Sequence, residues 1–236
     1  MVSNMKNTKR DLTFILRDPM MLLLFIVPVI IPIVFKLLLT YGLDLLNRYI
    51  YFDFSPYNGY LLVLAVILIP TMLGAVTGFQ MLDEKDGNID ELLSITPMGR
   101  LGYLLTRVNI SLFMTFVYVI YTYLVLDVYS VSVFVLILLS VLLSLYSMMI
   151  GCLLYILAED KVKGLTYVKG LSFIMVFAFA KLIDNNYLII VSNLFPTYWI
   201  AELVLNPSLA TIIYSIAVHL LWFLLATKKV LKSSSF

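Results

Sequence analysis

The residue types that carry most enzyme chemistry are scarce in this chain of 236 residues. It contains one cysteine, Cys152, and one histidine, His219, and both lie in apolar runs. A single cysteine excludes an intrachain disulfide and a cysteine-based metal cluster, and a single histidine excludes a zinc site of the HExxH kind. The sequence also lacks the G-x-x-x-x-G-K-[ST] pattern that cradles a nucleotide phosphate. We therefore expect this chain to be no enzyme and to hold no metal or cofactor.

Charge is concentrated instead in one segment, Asp83–Arg107, which holds eight of the thirty charged residues. It lies between two apolar runs that are each long enough to cross a bilayer, so the segment must lie outside the hydrocarbon. Asp83, Glu84 and Asp86 directly follow the first of these runs. Such a loop is suited to contact a partner on one side of a membrane.

The centre of this loop has the pattern of a short amphipathic helix, Asn88–Ile95. Gly87 permits a sharp turn, Asn88 is a good N-cap, and Glu91 three residues later completes a variant of the capping box. The helix should end before a proline, because the residue that precedes proline avoids the helical region. The apolar face comprises Ile89, Leu92 and Leu93, and the terminating pair is Thr96-Pro97. A docking helix and a well-capped connector without a partner both fit this pattern.

The rest of the chain has the composition of a membrane protein. With 62% hydrophobic and 13% charged residues, it has too few polar residues to cover a soluble domain. We predict one all-α transmembrane domain over residues 1–236, because helices satisfy their own backbone hydrogen bonds in lipid and no barrel pattern is present. Apolar runs of about 20 residues give six predicted spans, at residues 20–39, 60–82, 108–126, 131–158, 166–183 and 209–227.

The positions of lysine and arginine predict the orientation of the spans. Twelve of these residues fall in the N-terminal segment, the loops after the second and fourth spans, and the tail, whereas the opposite loops contain only Arg48. This bias places both termini and the 83–107 loop in the cytoplasm of a multi-pass plasma-membrane protein. Segment 3–18, ended by Pro19, fits an interfacial helix on the inner leaflet. A charged tail that only sets the topology is the alternative.

The opposite side carries a further apolar stretch, residues 187–205, which Pro196 interrupts. A seventh full crossing would place the basic tail outside, against the charge bias. We therefore predict two short re-entrant helices, joined near residues 195–199, before the last span. Tyr198 and Trp199 favour the membrane interface, and together with Pro196 they form a predicted outer gate.

Several motifs, in their order along the chain, resemble those of exporter-type ABC transporter permeases, the ABC-2 membrane proteins. In the loop, the resemblance runs from Glu84 through Gly87 to Thr96-Pro97-Met98. The match is closer to fluoroquinolone-export-type permeases. The other matching motifs are Arg17-Asp18-Pro19, Phe54-Ser55-Pro56-Tyr57, Leu73–Phe79 followed by Leu82-Asp83-Glu84, and Phe195-Pro196-x-Tyr198-Trp199. Asn88 departs from the wider family, which often has threonine there, but asparagine caps a helix at least as well.

The resemblance implies a transport subunit that works with partners. Such permeases pair as homodimers or heterodimers in the lipid membrane, and each binds a separate ATPase subunit that holds ATP and Mg. The helix Asn88–Ile95, flanked by Asp83, Glu84 and Asp86, would insert into a groove on that ATPase. Glu159, Asp160 and Lys161 would form a second, smaller cytoplasmic contact.

The same resemblance implies ATP-driven export. Apolar spans with few buried charges suggest a hydrophobic or amphipathic substrate, which could be a drug, a lipid or a peptide, and we expect no nucleic-acid partner. An ion-coupled secondary transporter is the alternative, and it would carry charges near mid-membrane and repeated halves. An intramembrane enzyme would need a nucleophile–base pair or metal ligands inside the spans. The sequence shows none of these features clearly.

Overall fold

A computed structural model of the chain describes residues 12–43, 45, 48–49, 53–94, 99–183 and 185–233. Its helices are α1 at residues 12–17, α2 at Pro19–Leu37, α3 at Asn58–Asp86, α4 at Ile89–Ser94, α5 at Gly99–Leu126, α6 at Val133–Leu157, α7 at Lys161–Ser172, α8 at Asn186–Ser192, α9 at Pro196–Leu205 and α10 at Leu209–Ser233. A π-helical turn, Leu38–Gly42, extends α2. Short 3₁₀ helices precede α3, at Ser55–Tyr57, and extend α7, at Phe173–Leu182.

Six helical stretches in the described residues are long and apolar enough to cross a membrane, which confirms the predicted all-α polytopic fold. They are Pro19–Gly42, Ser55–Asp86, Leu101–Leu126, Val133–Leu157, Lys161–Leu182 and Leu209–Val230. All of these stretches except the fourth, Val133–Leu157, are longer than the apolar runs predict. The reason is that a helix does not stop at the edge of the hydrocarbon when polar residues beyond it remain hydrogen-bonded or paired.

Helices α3 and α6 form the centre of the bundle. In the second span 78% of the apolar window is buried, against 11% in the first and fifth spans. A Cβ atom on Gly74 would lie 2.5 Å from the carbonyl oxygen of Ser147, and one on Gly78 would lie 2.5 Å from Leu154 Cδ2. The small residues at this spacing therefore let the backbones of α3 and α6 approach closely, as they do in many membrane helix pairs.

Asp18 fixes the start of α2. Its backbone is extended, and its Oδ1 atom accepts hydrogen bonds from the N–H groups of Met20 (2.8 Å) and Met21 (3.1 Å). Pro19 is the first residue of α2, where a missing N–H group costs nothing. Helix α1 covers only part of the predicted interfacial helix, and its Ile15 is buried in the bundle. Residues 3–11 lie outside the described residues.

Helices α8 and α9 form a re-entrant hairpin with a bend of 106°. The indole N–H of Trp222 donates to the carbonyl oxygen of Leu194 in the bend at 2.8 Å. Trp222 lies roughly 20 Å along α10 from Leu209, at about 1.5 Å per residue, so the bend reaches far into the membrane. Near the other end of the hairpin, Glu202 pairs with Lys181 at 2.6 Å, beside the end of the fifth span. The hairpin thus returns to the side where it begins, as the sequence predicts.

The residues of the predicted outer gate lie in the first turn of α9, just after the bend. Pro196 begins α9 immediately after the bend, and Tyr198 is buried. Trp199 donates its indole N–H to the carbonyl oxygen of Asn193 at 2.8 Å and stacks on Tyr214. An indole that donates to a backbone carbonyl at the bend does not need water as a partner for its N–H group.

Replacing Gly74 with alanine should destabilise the bundle, because the added carbon would meet a backbone carbonyl that cannot rotate away. Overpacking of this kind costs roughly 1–3 kcal/mol, so the thermal unfolding midpoint of the purified protein in detergent should fall. Gly170→Ala is the matched control, because nothing lies within 4 Å of a Cβ atom built there. Equal midpoints for the two variants would contradict the close contact between α3 and α6.

Candidate functional site

The end of the bundle at which α3 ends and α5 and α7 begin, called here the charged end, contains the candidate site. Three consecutive side chains at the end of α3 contact three different elements. Asp83 pairs with Lys161 of α7, Glu84 pairs with Arg107 of α5, and Lys85 donates to the carbonyl oxygen that follows α6. Because successive residues of a helix point about 100° apart, the last turn of α3 can hold all three neighbours at once.

The pair formed by Glu84 and Arg107 is the most buried ion pair of the charged end. Arg107 Nε lies 2.7 Å from Glu84 Oε2, and Arg107 Nη2 lies 2.7 Å from Glu84 Oε1. Only 2% of the arginine side chain and 13% of the glutamate side chain are exposed. The guanidinium group also lies over the ring of Tyr103, at 5.6 Å from its centroid. This two-pronged geometry fixes α5 against α3 more specifically than a single contact would.

Lys161 forms a bridge between two carboxylates. Its Nζ atom lies 2.5 Å from Asp18 Oδ2 and 2.8 Å from Asp83 Oδ2. Asp18 therefore caps α2 with one oxygen and pairs with α7 through the other. Burial favours the neutral form of Asp18, but the Lys161 ammonium and the backbone N–H groups of Met21 and Met20 together hold the pKa of this carboxyl below its usual value.

Helix α4 is fastened to the bundle on one side. The Tyr155 hydroxyl of α6 donates to Asp90 Oδ2 at 2.6 Å, and the same ring lies beneath the Lys85 ammonium. Leu93 packs against a buried cluster that includes Tyr103 and Met81. These contacts hold the short helix at a fixed position outside the spans.

The opposite side of α4 is exposed. Ile89 has 44% and Leu92 has 62% of its surface exposed, so the predicted apolar face is divided between Leu93, which points inward, and these two residues. Asp86 and Gly87, which precede the helix, are also exposed. The charged end therefore presents an apolar surface, formed by Ile89 and Leu92, on a helix that its back contacts hold in place.

The turn before α4 differs from the sequence expectation. Asn88 has a φ of +54°, whereas Gly87 has an ordinary φ of −88°. Asparagine tolerates the left-handed region because its short polar side chain can bond locally. The sharp turn therefore depends on Asn88, and α4 begins at Ile89. Glu91 lies within α4, but its side chain is outside the described part of the chain, as are Ile95, Thr96 and Pro97.

The predicted second contact also divides into two parts. Asp160 caps α7 by accepting from the Lys163 N–H group at 2.8 Å, and Glu159 forms an exposed pair with the Lys163 side chain. Lys161, in contrast, points inward to its two carboxylates. Only Glu159 and Asp160 therefore lie on the outside.

Sequence reasoning missed four residues that organise this site. In the sequence, Asp18 stands out only as part of a family motif and Asp90 only as a favourable charge near a helix start. Arg107 is one basic residue of the loop, and Tyr155 is one aromatic residue of an apolar run. Their partners lie between 23 and 143 residues away in the chain. One feature of the sequence could have indicated these residues: a charge at the end of a predicted span needs a partner, because an unpaired charge there is costly.

Six helices that are long and apolar enough to cross a membrane, with a charged end outside them, define the chain as a multi-pass membrane protein. The model of one protein family, described as fluoroquinolones export permease protein Rv2686c-like, matches residues 11–227. The chain belongs to this family of export permeases, which confirms the resemblance seen in its motifs. No curated protein and no solved structure matches the chain at a significant level.

Replacing Arg107 with glutamine should strongly destabilise the protein, because it removes the guanidinium group that contacts both oxygens of the mostly buried Glu84 carboxylate. Breaking one partner of such a pair costs roughly 3–5 kcal/mol, which thermal unfolding in detergent would detect. Arg17→Gln, the same change at an exposed arginine, should leave the midpoint unchanged. The double variant Arg107→Gln with Glu84→Gln should recover much of the loss. A single variant as stable as Arg17→Gln would contradict the role of this pair.

Proposed function

We propose that this chain is the membrane-spanning permease subunit of an ATP-binding cassette exporter and that α4 docks onto a separate ATPase subunit. The observation that carries the proposal is the apolar surface of Ile89 and Leu92. It lies outside the spans on a helix whose other side is held by Asp90 and Leu93. Large exposed apolar groups that are held rigidly mark contact sites for other proteins.

The proposed orientation places the charged end in the cytoplasm of the plasma membrane. Its support is the distribution of lysine and arginine, twelve against one in the loops and termini. A cytoplasmic ATPase could then reach α4, and the exposed Asp86 and Glu159, together with the half-buried Asp160, would flank the contact. Both termini lie on the same side in this arrangement.

ATP and Mg belong, in this proposal, to the ATPase subunit. The sequence contains no Walker pattern to hold a nucleotide phosphate, so hydrolysis requires a second chain. The permease itself acts as a dimer, either with a second copy or with a related chain. Large apolar residues are exposed along α2 and α10, for example Ile30 and Leu221, and such faces suit lipid and a paired permease alike.

The proposed substrate is an amphipathic drug, and a fluoroquinolone is the first compound to test. The support is the family description, which names fluoroquinolones. An exporter with mainly apolar spans also suits a cargo with a large apolar surface more than a small ion. Lipids and peptides are the other substrate classes to compare in the same assay.

The decisive experiment isolates the tagged full-length chain from its native membrane and identifies any co-purifying ATPase. The complex is then placed in inverted vesicles, and ATP-dependent fluoroquinolone uptake is measured with and without an ionophore. The proposal expects a Walker-bearing partner and uptake that follows ATP and resists the ionophore. Uptake by the chain alone that collapses with the ionophore would instead establish an ion-coupled transporter.

Replacing Leu92 with aspartate should weaken ATPase binding at least tenfold. Burial of a leucine is worth about 1.5–3 kcal/mol, and roughly 1.4 kcal/mol corresponds to a factor of ten in affinity. Val133→Asp is the matched control, because Val133 has similar exposure but begins α6 at the opposite end of the bundle. Co-purification and titration of the ATPase would measure the difference. Equal binding by both variants would show that α4 is not the docking element.

A further inference from the structure

Lys161 lies where the charged ends of three spans meet. It is the first residue of α7, Asp18 caps the start of α2, and Asp83 belongs to the last turn of α3. A single ammonium group therefore joins three helices through two carboxylates, at 2.5 and 2.8 Å. We call this arrangement the Lys161 junction.

The two outer helices of the junction also pack on α3 through apolar side chains, for example Met21 of α2 and Val168 of α7 in a cluster with Phe79. In the first and fifth spans, which contain α2 and α7, only 11% of the apolar window is buried. The first turn of α7 does touch α3, because a Cβ atom on Gly164 would lie 3.0 Å from atoms of Leu82 and Phe79. That contact limits how closely α7 and α3 can approach. An apolar contact has no preferred direction, however, so it does not tie the two helices together as an ion pair does.

The junction also lies next to α4 along the chain. Asp83 is followed by Glu84 and Lys85, which hold α5 and α6, and then by the two-residue turn that leads into α4. A displacement of α4 therefore reaches the end of α3 through the chain, and it reaches α5 and α6 through the contacts of Leu93 and Asp90. From the end of α3, the ion pairs of the Lys161 junction lead on to α7 and α2.

We propose that the Lys161 junction transmits the displacement of α4 and α3 to the two outer spans, α2 and α7, during transport. Lys161 and Asp18 are then positioning residues, and neither contacts the ATPase. This proposal rests on the proposed function, since it assumes that an ATPase moves α4. It assigns Lys161 and Asp83 to the interior of the permease rather than to the docking surface.

Removing the positive charge of Lys161 should have a structural effect that can be measured, because this charge balances two carboxylates. Two carboxylate oxygens lie within 2.8 Å of the same nitrogen, so a neutral residue at position 161 would leave two like charges facing each other. Like charges at short range repel. Lys161→Gln should therefore separate α2 from α3 and α7, and not merely loosen them.

The test compares Lys161→Gln with Lys229→Gln, the same change at an exposed lysine near the end of α10. In proteoliposomes with the ATPase, Lys161→Gln should bind the ATPase and hydrolyse ATP within about twofold of the unmodified complex while ATP-driven transport falls at least tenfold. Lys229→Gln should retain transport, and Lys161→Arg should restore at least half of it, because arginine can also bridge two carboxylates. Transport by Lys161→Gln equal to that of Lys229→Gln would overturn the proposal.

A second variant separates the ion pair from helix capping. Asp18→Asn removes one carboxylate but keeps the cap of α2, because asparagine caps as well as aspartate. Spin labels at exposed sites on the charged ends of α2 and α7 should report a broader distance distribution in Asp18→Asn and Lys161→Gln than in Lys229→Gln. An unchanged distribution would overturn the proposal even if no ATPase binds the unmodified chain, whereas absence of ATPase binding alone would overturn only the proposed function.

Discussion

Four consecutive charged residues, Asp83–Asp86, end the most buried span, and pairing them is the constraint on which this structure depends. A charge that stays near the hydrocarbon without a partner is costly, so each side chain must find an opposite group or reach water. Asp83, Glu84 and Lys85 find partners on three different elements, and only Asp86 is exposed. The spacing of the helices at the charged end follows from these contacts, as their spacing in the membrane follows from the glycines of α3.

The other end of the bundle meets the same requirement with different groups. The bend between α8 and α9 frees backbone carbonyls inside the membrane, where no water is available to bond them. Trp222 and Trp199 supply indole N–H groups to the carbonyls of Leu194 and Asn193, and Phe195 of the bend stacks on Phe177. Both tryptophans of this chain therefore act as internal hydrogen-bond donors at the bend.

The spans were predictable because one physical length, the thickness of the hydrocarbon, sets the length of an apolar run. The re-entrant hairpin was predictable because a seventh crossing conflicts with the placement of Arg and Lys residues. The contacts of the charged end were not. Lys161 and Asp18 are 143 residues apart, and a charge at the end of a span does not specify which of several distant charges it meets. The positive φ of Asn88 was missed for another reason. A sharp turn favours glycine, and Gly87, the residue before Asn88, already fitted that expectation.

The assignment of the loop acids changes once their partners are known. A carboxylate that is mostly buried against an arginine, as Glu84 is, cannot also meet an ATPase without breaking that pair at a cost of roughly 3–5 kcal/mol. A docking surface therefore has to use residues that the bundle leaves outside. Ile89, Leu92 and Asp86 meet this condition, whereas Asp83 and Glu84 pair with α7 and α5 at the end of α3. The loop thus separates into an inner part, which is held by the bundle, and an outer part, which the bundle leaves exposed. A force on the outer part would act on the ion pairs at the end of α3 and also on the contacts of Asp90 and Leu93 with α6 and α5.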